Sequence, residues 1–374
     1  MKICKLSDIA RFTTGKLNSN AAQDNGKYPF FTCAPEALKI DDYAFDTEAI
    51  ILAGNNADGN FHIQHFKGKF NAYQRTYVIE SSDENKVYTK YLYYALKTCL
   101  LHFKQISQGS ATKFLTAKIL NSFELPIPEI EIQKKIAGTL GNLDKKIKTN
   151  EAINENLERQ AQAYFEELFV VNADPNWPEC TLSDIGSIVA GGTPSKSKSE
   201  YYADQGIAWI TPKDLSVDKS KFISHGENDI SELGFSKSST KKMPAGTVLF
   251  SSRAPIGYIA IAQNELTTNQ GFKSVIPNEN IGTSYVYFLL KNLLPTIEGM
   301  ASGSTFKEIS GAGMKSVPTV MPDVNIIQLF NNFCEPIFKE QEILEAENRR
   351  LSALRDSLLP KLMSGEIDIS SLDI

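Results

Sequence analysis

Polar side chains that could bind nucleic-acid bases lie in loop-like segments of two separate parts of the chain. Arginine and lysine can bind guanine, glutamine and asparagine can pair with adenine, and lysine or a hydroxyl group can hold phosphate. The candidates in the first part are Asn55, Asn56, His62, Tyr73, Gln74 and Arg75, and those in the second part are Lys213, Ser252, Arg253, Asn269, Gln270 and Lys273. For any one of them the alternative is turn formation and solvation.

Two Gly-Ser turns add a second group of candidates. Lys113 and Lys307 are separated by 194 positions, and a shared role would suit phosphate binding, because the DNA backbone is alike everywhere. The turn residues are Gln108, Ser110, Thr112 and Lys113, and Ser302, Ser304, Thr305 and Lys307. An ordinary turn is the alternative.

The sequence does not contain the catalytic motifs of the common DNA-modifying enzymes that we compared with it. A methyltransferase of exocyclic amino groups carries an Asn/Asp-Pro-Pro-aromatic loop beside the flipped base, but no Pro-Pro pair occurs here. Gly191–Ser197 lacks the Gly-Lys-Ser/Thr end of a phosphate-binding loop. Glu84 and Lys86 have nuclease-like spacing in what we interpret as a solvated turn. His62 and His65 would point to opposite faces of a strand, so we expect no metal site.

Composition and charge limit the possible classes. The net charge is −5. Residues 1–128 contain 15 lysines and arginines against 12 acidic residues, and residues 170–322 contain 13 against 14. Neither part is strongly basic, so DNA binding by the chain alone should be weak. The five scattered cysteines, the absence of a signal-like segment and the lack of a long apolar run predict a cytoplasmic protein without a membrane partner.

The chain repeats itself, which predicts two structural copies. Cys4–Ile9 returns at 180–185, and Tyr91–Lys97 returns at 285–291. In each copy we expect a short opening helix, with Ser7 or Ser183 as its N-cap and Gly15 or Gly191 as a stop. The remaining predicted elements are strands at 49–53, 76–79, 247–250, 258–262 and 274–276, and helices at 88–103 and 284–294.

A long helical pattern follows each copy. Apolar residues step by four and three from Ile136 to Leu168, and again from Phe330 to Leu362, which predicts two coiled-coil helices. Asn154 maps onto Asn348, and a buried polar pair of this kind can fix register. We expect a kink or late helix start at Pro336 and a break at Pro360. Two unrelated amphipathic helices are the alternative.

Together these patterns predict an α+β fold with a pseudo-two-fold repeat: two similar α/β domains joined by two long helices that form an antiparallel coiled coil. The expected boundaries are domain 1 at 1–128, the central helix at 129–170, domain 2 at 171–322, the C-terminal helix at 323–364 and a tail at 365–374.

Several motifs give the chain a family resemblance. They are Gly191–Ser195, Gly206–Leu215, Ser252–Gly257, Thr268–Lys273, Leu125–Pro128 with Gln133, and Leu354–Ile367. In this order, and partly duplicated, they resemble the specificity subunits of Type I restriction-modification systems. Copy one departs from copy two where Gly54–Gly59 stands in place of Ser251–Gly257, which suits two domains that recognise different half-sites.

The resemblance implies a non-catalytic subunit whose two target recognition domains bind the halves of a bipartite double-stranded DNA target. The long helices would set the spacer and bind two methyltransferase subunits, and restriction subunits could join them. The chain itself would carry no cofactor; S-adenosylmethionine, ATP and Mg²⁺ would belong to the partners. A specificity subunit of a related system with a fused restriction-methylation partner, a free-standing DNA enzyme and a protein-only coiled-coil scaffold are the alternatives.

Overall fold

The computed structural model describes residues 1–303 and 307–370. Two compact units emerge: unit 1 is Met1–Ile147 with Arg350–Ile374, and unit 2 is Lys148–Arg349. Both long helices contribute residues to both units. Within the two described stretches, no helix is both long enough and apolar enough to span a membrane.

Unit 1 is built on a six-stranded sheet. The strands of unit 1, within and outside this sheet, are β1 (Lys2–Lys5), β2 (Ala10–Thr14), β3 (Tyr28–Phe31), β4 (Leu38–Ile40), β5 (Phe45–Ala53), β6 (Asn55–Asn56), β7 (Ile63–Ala72), β8 (Thr76–Ser81), β9 (Lys113–Phe114) and β10 (Glu124–Ile127). Its helices are α1 (Leu6–Ile9), α2 (Thr89–Thr98), α3 (Leu100–Ile106), α4 (Ala117–Ser122) and the first part of α5 (Ile130–Glu166). The sheet order is β2-β8-β5-β7-β3-β4, and only the β3–β7 pair is parallel.

Strand β5 shows why this sheet is buried on both faces. Ile50 and Leu52 pack in one core cluster with Leu92 and other residues of α2, whereas Ala49 and Ile51 pack in the other cluster. Alternate residues of a strand point to opposite faces, so a continuous apolar run serves both clusters.

Unit 2 contains a five-stranded and a four-stranded sheet, in the orders β12-β20-β17-β18-β15 and β13-β16-β14-β19. Its strands are β11 (Glu179–Thr181), β12 (Gly186–Ala190), β13 (Tyr202–Ala203), β14 (Ile207–Ile210), β15 (Phe222–Ile223), β16 (Asn228–Ile230), β17 (Val248–Ser252), β18 (Ile256–Ala262), β19 (Thr267–Thr268), β20 (Lys273–Pro277) and β21 (Pro318–Val320). Its helices are α6 (Leu182–Ile185), α7 (Pro212–Val217), α8 (Glu232–Ser236), α9 (Thr283–Met300), α10 (Gly311–Lys315) and the first part of α11 (Val324–Ser364).

The predicted strands and the helix at 284–294 are confirmed. The single helix predicted at 88–103 is two helices, α2 and α3, separated at Cys99. The predicted helix caps are wrong. Ser7 and Ser183 lie inside α1 and α6, whose N-caps are Lys5 and Thr181. At Thr181 the carboxylate of Asp184 accepts a hydrogen bond from the backbone N–H at 2.8 Å. Each helix has only four residues, and its fully buried first leucine fixes where it begins.

The two long helices pair antiparallel, as predicted. In unit 1, Asp144 contacts Arg355 at 2.9 Å, and Lys135 contacts the Ser370 carbonyl at 2.6 Å. In unit 2, the amide of Asn150 donates to Asn348 at 2.9 Å, and that of Gln341 donates to the carbonyl of Asn154 at 3.0 Å. Asn348 therefore has a buried asparagine partner, but this partner is Asn150 rather than Asn154.

The late start expected at Pro336 and the break expected at Pro360 are wrong, while the alternative of a kink at Pro336 stays a prediction. Helix α11 begins at Val324, twelve residues before Pro336, and continues past Pro360 to Ser364. A proline removes one hydrogen bond from a helix interior. Here both prolines are exposed, while their neighbours Ile337 and Leu359 are buried, so side-chain packing maintains the helix across each lost bond.

Candidate nucleic-acid interface

In unit 1, backbone hydrogen bonds tie three segments that are distant in sequence. The N–H of Gly54 donates to the carbonyl of Arg75 at 2.8 Å, and the N–H of Leu115 donates to the carbonyl of Gly54 at 2.9 Å. Gln108 and Phe114 exchange both backbone hydrogen bonds, at 3.0 and 2.7 Å. We call this set of backbone hydrogen bonds the loop frame. It brings the residues around 55, 75 and 108–114 together.

Unit 2 contains the same loop frame. The N–H of Ser252 donates to the carbonyl of Gly271 at 2.7 Å, and the N–H of Ile309 donates to the carbonyl of Ser252 at 3.1 Å. Ser302 and Glu308 exchange hydrogen bonds at 3.1 and 2.8 Å, as Gln108 and Phe114 do. Arg253 pairs with Glu308 in the way that Asn55 pairs with Phe114. Candidate residues that the sequence places far apart therefore converge in both copies.

The first candidate surface consists of Asn55, Asn56, Arg75, Gln108 and Lys113. Strands β6 and β9 place Asn55 opposite Phe114 and Asn56 opposite Lys113. The guanidinium of Arg75 lies over the Phe114 ring, 5.4 Å from its centroid. Arg75 and Gln108 are exposed, and Asn55, Asn56 and Lys113 are half-buried. The surface thus presents amide and cationic groups side by side.

The other candidates of copy one lie beside this surface or support it. Gln74 donates a side-chain hydrogen bond to Asn18 at 2.6 Å, and the backbone N–H of Tyr73 bonds to Phe31. The carbonyl of His62 accepts from Ala53 just before β7 begins. Ser110 is exposed and Thr112 half-buried in the turn at Gly109. Gly109 has φ +110°, and a Cβ there would lie 2.0 Å from the Thr112 carbonyl oxygen, so the turn requires glycine.

The second candidate surface consists of Lys213, Arg253, Asn269 and Gln270, which line one cleft of about 660 Å³ with Trp209 and Tyr202. The Asn269 side chain accepts from the N–H of Gly271 at 2.8 Å, and the Thr193 hydroxyl donates to the Gln270 side chain. The Trp209 indole donates to the Gly192 carbonyl at 3.0 Å. These contacts hold the amides in place at the cleft wall.

Two predicted residues of copy two lie beneath the surface. Ser252 is fully buried, and its hydroxyl donates to the Gly271 carbonyl at 3.1 Å. Lys273 is 8% exposed, and its ammonium group contacts Ser252 Oγ and the Gln270 carbonyl, each at 3.3 Å. Burial lowers the pKa of Lys273 in spite of nearby Glu308. In this conformation both residues support the loop rather than face solvent.

Carboxylates accompany the cations of the second surface. Lys213 pairs with Glu227 at 2.5 Å, and this hydrogen bond raises the pKa of Lys213. Arg253 pairs with Glu308 at 3.3 Å. Because these charges are already partly balanced, the surface is better suited to directional contacts with bases than to general attraction of phosphate.

The second Gly-Ser turn is described in part. Ser302 and Lys307 are exposed, and Gly303 has φ +118°, close to the +110° of Gly109. Ser304 and Thr305 lie outside the described residues. The backbone exchange between residues 302 and 308 matches that between 108 and 114. The equivalence of Lys113 and Lys307 therefore stays a prediction that rests on similar turns.

Four residues at or beside the first and second candidate surfaces were not predicted from the sequence. Phe114 and Glu308 lie beside Arg75 and Arg253. Lys104 and Asn60 form a hydrogen bond at 2.8 Å, and the Lys104 and Lys113 side chains both border Gly59. The 194-residue shift that relates Lys113 to Lys307 also relates Phe114 to Glu308, so that signal was available in the sequence.

The groups considered for metal chemistry have other roles. His65 contacts Glu48 at 3.0 Å, and Asp83 pairs with Lys86 at 2.9 Å within a turn. Glu84 accepts a hydrogen bond from the backbone of Thr89. Across residues 1–303 and 307–370, no group of three or more histidine, cysteine or acidic side chains is arranged to hold a metal ion.

Comparison with known proteins gives consistent matches. The family model described as "Type I restriction modification DNA specificity domain" matches residues 1–159 and 175–350. The Type I restriction enzyme MjaIX specificity subunit of Methanocaldococcus jannaschii is 37% identical over 190 residues, which span 48% of this chain and 44% of that relative. The HindI specificity subunit of Haemophilus influenzae is 26% identical over 344 residues, 71% of this chain and 74% of the relative.

One solved structure has a related fold. The crystal structure of the S subunit of a Type I restriction-modification system from M. genitalium superimposes with a TM-score of 0.64. The two chains are 18% identical, and the match covers 96% of this chain and 95% of the other. At this identity the likeness establishes the fold.

Proposed function

The chain belongs to the family of Type I restriction-modification DNA specificity domains, and from this membership we propose that it is the non-catalytic specificity subunit of a restriction-modification complex. Domain 1 (1–128) and domain 2 (171–322) each bind one half of a bipartite DNA target. The observation that carries this proposal is the loop frame, which occurs in both units with different polar side chains around it.

Two half-sites of different sequence require two surfaces that arrange their side chains differently. The first candidate surface offers two asparagines and a lysine on the paired strands β6 and β9, with Arg75 in the turn between β7 and β8. The second offers an arginine, a lysine and two amides around one cleft. Side-chain amides and guanidinium groups recognise base edges directionally. The acidic partners of Lys213 and Arg253 leave little net charge for attraction of phosphate, so tight binding depends on partner subunits.

The long helices bind two methyltransferase subunits in this proposal. What supports it in unit 2 is a set of partly exposed apolar side chains on α11: Leu329, Phe333 and Ile343 are 52, 39 and 52% exposed, although the Phe333 ring also packs on Tyr164 of α5. Apolar side chains exposed along a helix are typical of a surface that a partner covers. S-adenosylmethionine, ATP and Mg²⁺ then act on the methyltransferase and restriction subunits, and this chain directs where they act.

The test is domain exchange in the assembled complex. The chain is co-expressed with its methyltransferase partner in a host without other adenine or cytosine methylation, and the methylated positions are sequenced. Replacing residues 1–128 by the first domain of another family member should change one half-site completely and leave the other intact. The purified chain alone should transfer no methyl group.

A second arm of the same assay tests the spacer. One heptad inserted between Ile147 and Leu157, with a matching heptad between Gln341 and Leu351, keeps both apolar seams in phase and lengthens each helix by roughly 10 Å. The gap between the half-sites should grow by about three base pairs, since the duplex rises ~3.4 Å per pair. Loss of both half-sites after domain exchange contradicts the two-domain model, and an unchanged gap contradicts the role of the helices as spacer.

A further inference from the structure

Each candidate surface contains one arginine, and in each the arginine contacts the same position of the loop frame. Arg75 lies over the ring of Phe114, and Arg253 forms an ion pair with Glu308. Phe114 and Glu308 are equivalent, because both exchange backbone hydrogen bonds with the first residue of their turn, Gln108 or Ser302. Two different chemistries at one position thus restrain a guanidinium group.

Arginine is rare in both domains. Residues 1–128 contain only Arg11 and Arg75, and residues 171–322 contain only Arg253. Arg11 lies on β2 opposite Glu80 of β8, whereas Arg75 lies just before β8, near the other end of β2, where Thr14 is opposite Tyr77. Each domain therefore has one arginine at its candidate surface. Arginine is the side chain best shaped to recognise guanine, since its fork of donors matches the O6 and N7 acceptors.

The contact with Phe114 restrains Arg75 and leaves its donors available. A guanidinium stacked on an aromatic face keeps its N–H groups at the edge of the plane, where a base can accept them. Arg75 is exposed, and its carbonyl is fixed by the N–H of Gly54 at 2.8 Å. Backbone and side chain are therefore both held before a ligand arrives.

The contact with Glu308 restrains Arg253 in a different way. One carboxylate oxygen of Glu308 lies 3.3 Å from a terminal nitrogen of Arg253, and the other lies 3.7 Å from the ammonium group of buried Lys273. Glu308 is thus fixed between two cations. Arg253 lines the cleft together with Asn269 and Gln270, and its side chain is 36% exposed. The remaining guanidinium donors can face a base edge in the cleft.

We propose that Arg75 and Arg253 each recognise one guanine of their half-site, and that Phe114 and Glu308 position the two guanidinium groups. This inference rests on the proposed function as a DNA specificity subunit. It adds the base that each domain recognises and two positioning residues that do not contact DNA themselves.

Arg75→Lys and Arg253→Lys test the guanine assignment, because lysine keeps the charge but loses the bidentate fork. In the assembled complex, each variant should relax one G·C position in one half-site and leave the other half-site unchanged. The loss of discrimination should be roughly 5- to 150-fold, the range of a bidentate contact with a base. Binding of the complex to oligonucleotides substituted at each position measures it even where methylation is weak.

Phe114→Leu and Glu308→Gln test positioning. Phe114→Leu should relax the same base pair as Arg75→Lys, and Glu308→Gln the same pair as Arg253→Lys, each to a smaller extent. Phe114→Tyr keeps the ring face and should retain specificity. A defect confined to one base pair cannot come from partial unfolding, which would lower binding to every sequence. Arg11→Ala and Lys237→Ala, two exposed cations outside the surfaces, should leave the target unchanged.

The outcomes separate this inference from the proposed function. A wild-type complex that methylates no bipartite target contradicts both. Bipartite methylation with a half-site that contains no G·C pair, or with lysine variants that keep full discrimination, contradicts the guanine assignment alone. A lysine variant that is as stable to urea as wild type but weakens binding equally to all sequences identifies a phosphate contact and overturns the assignment. If Glu308→Gln relaxes recognition of a different base pair from Arg253→Lys, the positioning role of Glu308 is wrong.

Discussion

The two domains are attached to the long helices by different chemistry. In unit 1, the hydroxyl of Tyr94 donates to Asp144 at 2.5 Å, and Asp144 also contacts Arg355 at 2.9 Å. In unit 2, Glu158 of α5 contacts Lys291 at 2.6 Å and forms an ion pair with Lys221. Both junctions have a tyrosine hydroxyl on the carboxylate, since Tyr287 donates to Glu158 at 3.2 Å, but the cations differ: one arginine in unit 1 and two lysines in unit 2.

The junction in unit 2 is the more deeply buried of the two. The Lys221 side chain is 6% exposed, bonds to Gln341 at 2.6 Å and lies 4.1 Å from the Phe338 ring centroid. Burial lowers the pKa of Lys221. Burial also acts to raise the pKa of Glu158, but attraction by Lys221 and Lys291 outweighs it, so this pKa is lowered. Domain 2 therefore depends on charges that must stay paired.

The two loop frames, in contrast to the two junctions, share the same backbone hydrogen bonds and differ in their side chains. Position 114 or 308 holds a phenylalanine in one copy and a glutamate in the other, on the same hydrogen-bond pattern. The comparison suggests that backbone contacts constrain the frame, while the side chains around it vary with the target. The predictions below test this contrast, beginning with the backbone.

The largest effect is expected at the glycines that end β2 and β12. A Cβ on Gly15 would lie 1.7 Å from the Ala72 carbonyl oxygen, and one on Gly191 would lie 2.0 Å from that of Asn269. Because each Cβ would meet a backbone carbonyl rather than a flexible side chain, Gly15→Ala and Gly191→Ala should each cost about 3 kcal/mol of unfolding free energy or somewhat more, the upper end for overpacking. Urea unfolding followed by fluorescence measures it.

A helical glycine provides the matched control. Gly299 lies in α9, and no neighbouring atom of the described residues lies within 4 Å of the position that a Cβ would take there. Gly299→Ala should stabilise the protein by about 0.5–1 kcal/mol, since alanine has the higher helix propensity. Equal losses for Gly15→Ala in unit 1 and Gly191→Ala in unit 2 support a shared frame. A tolerated alanine in either copy would mean that the two backbones differ there.

These glycines also show how far sequence reasoning extends. The repeat identifies Gly15 and Gly191 as equivalent positions. The reason that each must be glycine is a backbone carbonyl 57 or 78 residues away, which no local pattern encodes. The strands at 49–53 and 247–250 and both helical seams were predictable, because burial imposes a regular period on apolar residues.

The candidate surfaces were predictable only as sets of residue types. Arg253 and Glu308 are 55 positions apart, and their pairing depends on how a turn folds back onto β17. Ser252 and Lys273 have the types expected of DNA contacts, yet packing places them below the surface. The register of the helices was equally hidden, because an antiparallel pair matches Asn348 with the residue opposite, Asn150, and not with its counterpart in the repeat.

The next largest effect is expected at the unit 2 junction. Lys221→Met removes a buried charge and leaves Gln341 Oε1 without this donor, so it should cost about 3 kcal/mol. Glu158→Gln in the Lys221→Met background should add less than it costs alone, because the two side chains act as a pair. Additive losses in urea unfolding would show that the ion pair is not a unit.

The same junction gives unit 2 a pH dependence. Because the pKa of Glu158 is lowered on folding, its contribution to stability is present above the ordinary glutamate pKa of ~4.3 and is lost as the pH falls through the folded-state value. The difference in unfolding free energy between wild type and Glu158→Gln should therefore shrink on acidification. A difference that stays constant from pH 7 to pH 3 would contradict a charge-based junction.

The smallest effect is expected at the unit 1 junction, for loss of the Tyr94 hydroxyl that donates to Asp144. Tyr94→Phe removes one hydrogen bond to a carboxylate that keeps its contact with Arg355, so the loss should be about 1.5 kcal/mol, the lower end for a bond to a charged group. Tyr91→Phe is a graded control on the same helix, because the Tyr91 hydroxyl donates to the neutral carbonyl of Pro126 at the longer distance of 3.2 Å. Its loss should be smaller, about 0.5–1 kcal/mol. A Tyr94→Phe loss that equals or exceeds that of Lys221→Met would mean that the hydroxyl contact in unit 1 contributes as much as the buried lysine in unit 2, and that the two junctions do not differ in strength.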